Sequence, residues 1–455
     1  MQPVVSPSAE FTVSEVELLR TGAVEPRYVI VGNGVAGVTA AQSIVRADPA
    51  AEVHIFGAEP YPYYQRPRLW EFLAGEIEQQ TLYFRPPEWY AAKGIQVHLG
   101  ARVTALDPAE HRLTLADGSS IHYDRLLLAT GARSFVPPFA GADKDGVFTL
   151  RTLDDARAMK AYARGEPFGG VYPEQSRRTQ DRRRRTAGDI RSAVVIGCGL
   201  LGLETARALL SLELDVTALE YAPHLLPRQL DEEGAQVLQA RLETMGLHFL
   251  TGAATETILG NGRVTGVRLK DGRVVEGELV LISTGIRSRV ELAREAGLEV
   301  DRGLIVDEQL RTSAADVYAA GDVAQFGGIV YGIIPAATKQ AQVAAANMVT
   351  EGSATYSGTV PATTLKIVGI DLTCLGDATA TGDKFVVLRQ VDPATGVYRR
   401  LALSDGKIVG AILLSDTQNV RPLKQLIATG RDVSAYSDRL LDETLDLKAL
   451  AQGPS

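Results

Sequence analysis

Two glycine-rich turns of the same design constrain this sequence more than any other feature. Each follows a short apolar run rich in β-branched residues and precedes a stretch with helical periodicity. The first turn is Gly32-Asn-Gly-Val-Ala-Gly37, and the second is Gly197-Cys-Gly-Leu-Leu-Gly202. A strand, a tight glycine turn and a helix in this order form the corner of a Rossmann-type domain. The sequence therefore predicts two such corners in tandem, called here the first cradle (Gly32–Gly37) and the second cradle (Gly197–Gly202).

The duplication extends beyond the two turns. In each copy a later apolar strand ends in a Thr-Gly pair that is soon followed by arginine, at Leu126–Arg133 and Leu279–Arg287. The predicted fold class is therefore α/β, with two tandem Rossmann-like domains of the three-layer ββα type. After about residue 355 the pattern changes to alternating strands at Phe385–Asp392, Gly396–Asp405 and Lys407–Leu414, followed by a helix that ends at Gly430. This pattern predicts a C-terminal α+β domain.

A chain of 455 residues is long enough for several domains. The predicted parts are an N-terminal extension at 1–25, a first Rossmann-like domain at 26–155 and 276–355, an arginine-rich insertion at 165–188, a second Rossmann-like domain at 189–275, and the C-terminal domain at 356–455.

Composition excludes several classes of protein. With 45% hydrophobic and 22% charged residues, the chain is neither disordered nor a polytopic membrane protein. The first nineteen residues hold no Lys or Arg for a signal peptide, so we expect a cytoplasmic location. The net charge of −8 argues against nucleic acid as the main partner. Only Cys198 and Cys374 are present, which predicts no thiolate metal cluster and no disulfide framework.

Each cradle is suited to a dinucleotide. The first glycine permits the tight turn, the second lets the main chain approach a pyrophosphate, and the third lets the helix pack on the strand. The helix N-terminus then offers unpaired N–H groups and partial positive charge. The alternatives are a purely structural corner, or a duplicated domain in which one site has decayed. Two working cradles predict NADH beside FAD, because a flavin accepts the hydride that NADH donates.

Acidic residues follow the second strand of each copy. Glu220 ends the strand that begins at Val216, where a carboxylate accepts hydrogen bonds from a ribose 2′-hydroxyl and repels a 2′-phosphate. NADH is therefore favoured over NADPH, although His224 and Arg228 lie nearby and keep NADPH open. In the first copy Glu59 is the predicted ribose ligand, at a longer spacing.

Further motifs resemble one superfamily in combination. Arg311–Asp322 resembles the second FAD signature of the pyridine nucleotide–disulfide oxidoreductases. Tyr61–Leu69 looks like the flavin-loop motif of the NADH:rubredoxin/ferredoxin reductase and NAD(P)H nitrite reductase branch, and Pro361–Ile370 looks like the start of its C-terminal domain. The likeness runs from about Tyr28 to Leu440.

The resemblance implies roles for individual residues. Asp322 should accept hydrogen bonds from the flavin ribityl chain, Arg66 and Arg133 should lie along the FAD phosphates and ribityl, and Glu204 should lie near the nicotinamide. The alternatives are a helix cap for Asp322, surface ion pairs for the arginines and an ordinary helix residue for Glu204. The complete predicted FAD set is Gly32, Gly34, Gly37, Glu59, Arg66, Val103, Gly131, Arg133, Gly321 and Asp322. The complete predicted NAD(H) set is Gly197, Gly199, Gly202, Glu204, Glu220 and Gly285.

The sequence departs from the superfamily at two places. No cysteine lies in residues 1–197, which excludes a dithiol relay or cysteine-sulfenate chemistry beside the flavin. Some relatives also carry a lysine near the flavin, where this chain has Glu71 in Pro67-Arg-Leu-Trp-Glu71. Arg68 either substitutes for that lysine electrostatically or faces solvent.

Arg177–Arg185 contains six arginines and one aspartate. Such a run is either a solvated, disordered insertion or a docking surface for an acidic redox partner such as a rubredoxin. Binding of nucleic acid is a weaker third interpretation, because the rest of the chain is acidic.

Together these features predict an FAD-dependent NADH oxidoreductase. It should pass electrons to a small electron-carrier protein or to a partner such as nitrite reductase, and positioning of the cofactors rather than a side-chain acid or base should supply the catalysis. The alternatives are an NADH oxidase that reduces oxygen directly, and a flavin-bearing redox sensor or scaffold with poor turnover. The sequence predicts no metal site and leaves monomer and homodimer open.

Overall fold

The structure is a computed structural model that describes residues 26–166, 190–360, 362–367, 370–392, 395–442 and 444–452. The predicted extension at 1–25 and the arginine run at 177–185 lie outside these residues. Within the described ranges, no helix has both the length and the apolar character needed to cross a bilayer.

The first sheet is built on the strand that leads into the first cradle. Its five parallel strands lie in the order Val317–Ala319, Arg125–Leu128, Arg27–Val31, Glu52–Gly57 and Ile95–Leu99. The central strand is an almost continuous apolar run because both of its faces are buried. Helices Val35–Ala47 and Ile334–Val349 pack against one another through alanines, and a small antiparallel sheet joins the same core. The strands of that small sheet are Val103–Asp107, Arg112–Leu115 and Ser120–His122.

The second sheet repeats this plan around the second cradle. Its parallel strands lie in the order Leu247–Leu250, Asp215–Leu219, Ser192–Ile196, Leu279–Ile282 and Val147–Phe148. Helices Leu200–Leu210 and Glu232–Thr244 belong to this domain, together with a small antiparallel sheet. The strands of that small sheet are Thr255–Leu259, Gly266–Leu269 and Val274–Glu276. The shared strand order confirms the predicted α/β fold and its internal duplication.

The domain boundaries differ from those expected. Leu279–Ile282, placed by sequence in the first domain, pairs with Ser192–Ile196 in the interior of the second sheet. Val147–Phe148 forms the edge of that same sheet. The second sheet therefore draws its strands from residues 147–282 rather than from 189–275. Strand pairing decides which domain a segment joins, and here it agrees with the internal repeat, which assigns Leu279–Arg287 to the second copy, and not with the boundary expected at residue 276.

Two short strands and several short elements connect the domains. Ala132–Ser134 and Ile286–Ser288 follow the two Thr-Gly pairs and pair with each other in antiparallel fashion. The other connecting elements are the 3-10 turn Arg66–Arg68, helices Leu69–Ala74, Gln79–Leu82, Pro87–Ala92, Leu153–Ala163 and Glu291–Glu295, and strands Leu304–Val306 and Ala324–Phe326.

The C-terminal domain is a five-stranded antiparallel sheet covered by helices. Its strands lie in the order Ala362–Ile367, Ile370–Gly376, Lys407–Leu414, Val397–Ser404 and Val386–Asp392. Helices Val420–Thr429 and Leu447–Gln452 and the 3-10 segment Ser434–Arg439 complete it. The predicted hairpin turn at Asp405-Gly406 has positive φ at both residues (49° and 71°), as a two-residue hairpin loop with a right-handed strand twist requires.

A buried ionic cluster joins the second domain to the C-terminal domain. Asp231 caps helix Glu232–Thr244 by accepting a hydrogen bond from the Gly234 amide at 3.3 Å. The same carboxylate accepts two contacts from the Tyr398 hydroxyl at 2.7 and 2.8 Å and lies 3.2 Å from Nε of Arg400. Arg400 is fully buried, and its guanidinium also donates to the carbonyl groups of Ala378 and Ala380.

Replacement of Asp231 should test this cluster. Asp231→Ala leaves the buried Arg400 cation without its counter-charge, so we expect the free energy of unfolding to fall by about 3–5 kcal/mol. Tyr398→Phe removes one hydrogen bond and should cost about 1 kcal/mol. Glu232→Ala, at an exposed position on the same helix turn, is the control and should change stability by less than about 0.5 kcal/mol. Equal effects of Asp231→Ala and Glu232→Ala in urea unfolding would show that the cluster contributes nothing.

Candidate functional site

The outer glycines of both cradles are required by the protein itself. Gly32 has a φ of +123°, and a Cβ there would collide with the carbonyl oxygen of Ala129. A Cβ on Gly37 would collide with the Gly32 carbonyl oxygen, because the helix packs directly on the turn. The second cradle repeats both contacts, with Gly197 against Ser283 and Gly202 against Gly197. These four glycines explain the shape of the two turns without any ligand.

The middle glycines have no such explanation. Gly34 and Gly199 have φ of −98° and −70°, which any residue adopts. No protein atom lies within 4 Å of a Cβ built at either position. Nothing in the protein therefore requires glycine at these two points, and the main chain is left open to close approach by a ligand. This is the arrangement that a pyrophosphate needs.

The helices that leave the cradles are also arranged for an anion. Neither Val35–Ala47 nor Leu200–Leu210 has a side-chain cap or an acidic residue in its first turn. The helix Leu153–Ala163, in contrast, begins with a complete capping box. The first N–H groups of the two cradle helices are thus not occupied by capping side chains, and the positive end of each helix dipole is not neutralised. Both cradles fit a dinucleotide phosphate.

Glu220 lies beside the second cradle. Its carboxylate accepts hydrogen bonds from the amides of Cys198 and Ala222, both at 2.9 Å. Cys198 is the residue between the first two glycines of the cradle, so these bonds hold the acid against the turn. The next residue, Tyr221, exposes 79% of its surface. Gly285, at the end of a neighbouring strand, has a φ of +107° and open space beside it.

Glu59 and Arg66 lie together beside the first domain's second strand. Arg66 donates to the Glu59 carboxylate at 2.5 Å, and the Tyr64 hydroxyl donates to the same group at 2.6 Å. A second guanidinium nitrogen of Arg66 donates to the carbonyl oxygen of Arg151 at 2.8 Å. Both predicted residues are therefore held in fixed orientations and partly exposed.

Asp322 lies close to the first cradle. A Cβ on its neighbour Gly321 would lie 3.0 Å from the Cβ of Ala36, in the first turn of helix Val35–Ala47. The Gly321 amide donates to the buried side chain of Gln340 at 2.9 Å. Asp322 itself accepts a hydrogen bond from Arg151 at 2.7 Å. The structure thus places Gly321 and Asp322 beside the first cradle, and their contact with FAD stays a prediction.

Arg151 is a site residue that the sequence reasoning missed. It links Asp322 to the Glu59–Arg66 pair, and its Nε donates to the Ala132 carbonyl at 3.2 Å. The capping box that follows fixes its backbone, because the Asp155 carboxylate accepts the amides of Arg151 and Thr152 at 2.9 and 2.8 Å. Burial raises the pKa of Asp155 to about 6. The capping motif Thr-Leu-Asp-Asp was the available signal.

Arg133 and Val103 lie apart from this network. Arg133 is exposed on the strand Ala132–Ser134, where it pairs with Glu291 and lies opposite Arg287. Val103 begins the strand Val103–Asp107 and is partly buried at the edge of the first core. Gly131 has a φ of +71° and no neighbour within 4 Å of a Cβ. Contact of these residues with FAD stays a prediction.

Glu204 has unusual surroundings. It is partly buried on helix Leu200–Leu210, and its carboxyl group makes no hydrogen bond with any described residue. Burial, and then the negative charge of Glu71, raise the pKa of Glu204 to about 8. Arg68 is paired rather than simply exposed to solvent, because its guanidinium binds the Glu71 carboxylate at 2.6 to 3.0 Å.

Both cysteines are buried, and burial raises the pKa of each thiol. Neither is therefore suited to react as a thiolate.

Two family models match successive parts of the chain. Residues 26–347 match the family model "Pyridine nucleotide-disulphide oxidoreductase". Residues 361–431 match the model "Rubredoxin NAD+ reductase C-terminal domain".

Individual relatives cover most of the chain. Nitrite reductase [NAD(P)H] of Bacillus subtilis is 36% identical over 90% of this chain, which spans only 48% of that protein. The ferredoxin–NAD(+) reductase component of the biphenyl dioxygenase system of Paraburkholderia xenovorans is 32% identical, over 92% of this chain and 97% of its own length. The crystal structure of the ferredoxin reductase for the CYP199A2 system of Rhodopseudomonas palustris has a TM-score of 0.81 at 27% identity, covering 94% of this chain and 100% of that one.

Substitution of the middle glycines should separate ligand binding from folding. Gly34→Val adds a side chain where the protein leaves open space, so we expect FAD affinity to fall more than about tenfold, or ~1.4 kcal/mol. The cost to the apoprotein should not exceed about 1 kcal/mol, the range of a helix-cap change. Gly199→Val should weaken NAD(H) binding to the same degree and leave FAD binding intact.

Fluorescence titration with FAD and calorimetric titration with NAD+ measure the two affinities, and thermal unfolding of the apoproteins measures stability. Gly32→Val is the comparison variant, because its collision with Ala129 should damage folding itself. Normal cofactor affinity in both Gly34→Val and Gly199→Val would contradict the assignment of the cradles.

Proposed function

Because this chain belongs to the pyridine nucleotide-disulphide oxidoreductase family, we propose that it is an NADH-dependent reductase of a small electron-carrier protein. The family confirms FAD and NADH, the two cofactors expected from the sequence, and it confirms an FAD-dependent NAD(P)H oxidoreductase as the enzyme class. Within that class, the choice of protein acceptor is the proposal.

The two open cradles carry the proposal. Each reserves space at its middle glycine and directs an uncapped helix N-terminus toward it, which supports one dinucleotide in each domain. Relatives that this chain matches almost from end to end are named as reductases of ferredoxin. A further relative, from Pseudomonas putida, is named rubredoxin-NAD(+) reductase and is 31% identical over 88% of its length. A ferredoxin or rubredoxin is therefore the acceptor that we propose.

The residues of this chain would position the cofactors. The amides of the cradles suit the two pyrophosphates, and Arg66 and Arg151 add positive charge beside the first. The carboxylates of Asp322 and Glu220 suit ribityl and ribose hydroxyls, respectively. FAD, when bound, supplies a two-electron acceptor for hydride. No side-chain acid or base is needed for that transfer, so positioning is the contribution of the protein.

A partner reductase is the second acceptor to consider. The chain spans about half the length of the nitrite reductases that it resembles, and the names of these relatives make a nitrite-reducing partner the other acceptor that we consider. Docking of either partner at Arg177–Arg185 stays a prediction from the sequence, as do the cytoplasmic location and the oligomeric state.

Preference for NADH should depend on Glu220. We expect the double variant Glu220→Ala/Tyr221→Arg to accept a 2′-phosphate and to lose the hydrogen bonds to the 2′-hydroxyl. A hydrogen bond to a charged group contributes about 1.5–3 kcal/mol, so kcat/KM for NADH should fall about 10- to 100-fold while that for NADPH rises. Steady-state kinetics with a dye acceptor measure both. Tyr221→Phe is the control and should keep the NADH preference; an unchanged preference in the double variant would refute the role of Glu220.

The rate at which the reduced protein is reoxidised by different acceptors tests which acceptor it uses. The FAD-loaded protein is titrated anaerobically with NADH and then mixed in a stopped-flow instrument with rubredoxin, ferredoxin or air-saturated buffer. We expect the flavin absorbance to bleach with one equivalent of NADH and to return much faster with a carrier protein than with oxygen. Equal or faster return with oxygen would establish an NADH oxidase instead, and failure to bleach would support the sensor or scaffold alternative.

A further inference from the structure

Two acidic side chains lie where the two dinucleotide-binding domains pack together. Glu71 belongs to helix Leu69–Ala74, which follows the loop that carries Arg66. Glu204 belongs to helix Leu200–Leu210, two residues after the last glycine of the second cradle. The two helices pack against one another. The Glu71–Glu204 pair therefore lies between the loop that serves one cofactor and the cradle that serves the other.

No cation in the described residues compensates Glu204. Arg68, three residues before Glu71, is bound to Glu71 through two guanidinium nitrogens. Arg207, on the same helix as Glu204, donates to the Ser211 hydroxyl. Lys160, on helix Leu153–Ala163, which also packs on the Glu71 helix, donates to the Phe72 carbonyl at 2.9 Å.

Two of the strands that pack on the Glu204 helix share an apolar core with it. Strands Ser192–Ile196 and Asp215–Leu219 contribute alanine and valine side chains to the core beneath the helix. Asp215 is exposed and pairs with His248 of the next strand at 3.5 Å. Strand Ala362–Ile367 also packs on this helix, and the structure describes only its backbone.

A carboxyl group in these surroundings keeps its proton at neutral pH. Withdrawal from water disfavours the charged form, and a neighbouring carboxylate disfavours it further. Arg68 binds the carboxylate of Glu71 and not that of Glu204, so its guanidinium does not offset the burial of Glu204. The raised pKa of Glu204, caused first by burial and then by the charge of Glu71, agrees with this geometry.

We propose that Glu204 releases its proton to solvent when the positively charged nicotinamide ring of NAD+ binds, and retains it when the neutral ring of NADH binds. The inference rests on the proposed function, since it requires the nicotinamide to lie beside Glu204. The step is an acid dissociation: the O–H bond of Glu204 breaks, buffer takes the proton, and the carboxylate left behind pairs with the ring cation. A site of this kind distinguishes substrate from product by charge, so NAD+ binds more tightly as pH rises.

Calorimetric titration of the FAD-loaded protein with NAD+ tests the proposal. Titrations at about pH 7 in two buffers of different ionisation enthalpy count the protons released, and we expect close to one per NAD+. The Kd for NAD+ should fall by up to about tenfold per pH unit below the pKa of Glu204 and level off above it. Tetrahydro-NADH, a redox-inactive analogue with a neutral ring, should bind without proton release.

Three variants test whether the proton released on NAD+ binding comes from Glu204. Glu204→Gln should bind NAD+ with no proton release and with a Kd that does not change with pH. Glu71→Lys places a cation beside Glu204, which should then be ionised before NAD+ arrives, so proton release should again disappear while tight binding extends to lower pH. Glu76→Gln removes an exposed acid a few residues from Glu71 and should behave like the parent protein.

A stability measurement gives a readout without nicotinamide. A folded-state pKa of about 8, above the ordinary value of 4.5, means that the folded protein holds a proton that the unfolded chain releases. The free energy of unfolding should therefore fall as pH rises from about 4.5 to about 8, and Glu204→Gln should remove that part of the decrease.

The outcomes separate the two proposals. Proton release that persists in Glu204→Gln, or equal release with the neutral-ring analogue, would overturn the role of Glu204 and leave the proposed function standing. Absence of NAD+ binding to the FAD-loaded parent protein at every pH would overturn the proposed function instead. If Glu204→Gln fails to fold, Glu71→Lys still decides the matter, because undiminished proton release in that variant contradicts the proposal.

Discussion

The close approach of main chain to main chain at the two cradles is the constraint on which the other site geometry depends. Gly37 must pack on Gly32, and Gly32 on Ala129, the residue after strand Arg125–Leu128, before the helix can begin at the edge of the sheet. That position brings the helix N-terminus to the carboxyl ends of the strands, where the loops that follow each strand also gather. Asp322 reaches the first cradle because Gly321 fits against Ala36. Glu220 reaches the second because its carboxylate binds the turn itself.

The charged residues of the first site hold one another in place without a ligand. Arg66 binds both Glu59 and the Arg151 carbonyl, and Arg151 binds both Asp322 and the Ala132 carbonyl. Because each guanidinium also binds a backbone carbonyl, its position does not depend on one mobile acid. A site whose donors are already oriented loses less conformational entropy when an anionic ligand arrives. This order is consistent with a protein whose contribution to catalysis is positioning.

Local patterns predicted the parts of the site that are local. The positions of three features could be predicted because each depends on a few neighbouring residues: the two cradles, Glu220 and the C-terminal hairpins. Arg151 was missed because its partner Asp322 is 171 residues away, and no periodicity connects them. The boundary near residue 275 was wrong because it separated Leu279–Ile282 from Ser192–Ile196, which pair in one sheet and which the internal repeat assigns to the same copy. The high pKa of Glu204 likewise depends on a helix contact that the sequence does not show.

The helix Leu69–Ala74 connects the two candidate cofactor sites. By sequence it continues the loop of Arg66, which serves the first site. Its side chains Leu69, Trp70 and Leu73 are nevertheless buried in the core that the second domain forms around Ala206 and Leu209. A rigid element that carries residues toward one site and packs in the core of the other transmits displacement between them, because packed interiors deform little. Glu71 lies on this helix, which packs on the helix of Glu204, so the proposed change of charge at Glu204 would occur beside an element that continues the loop of Arg66.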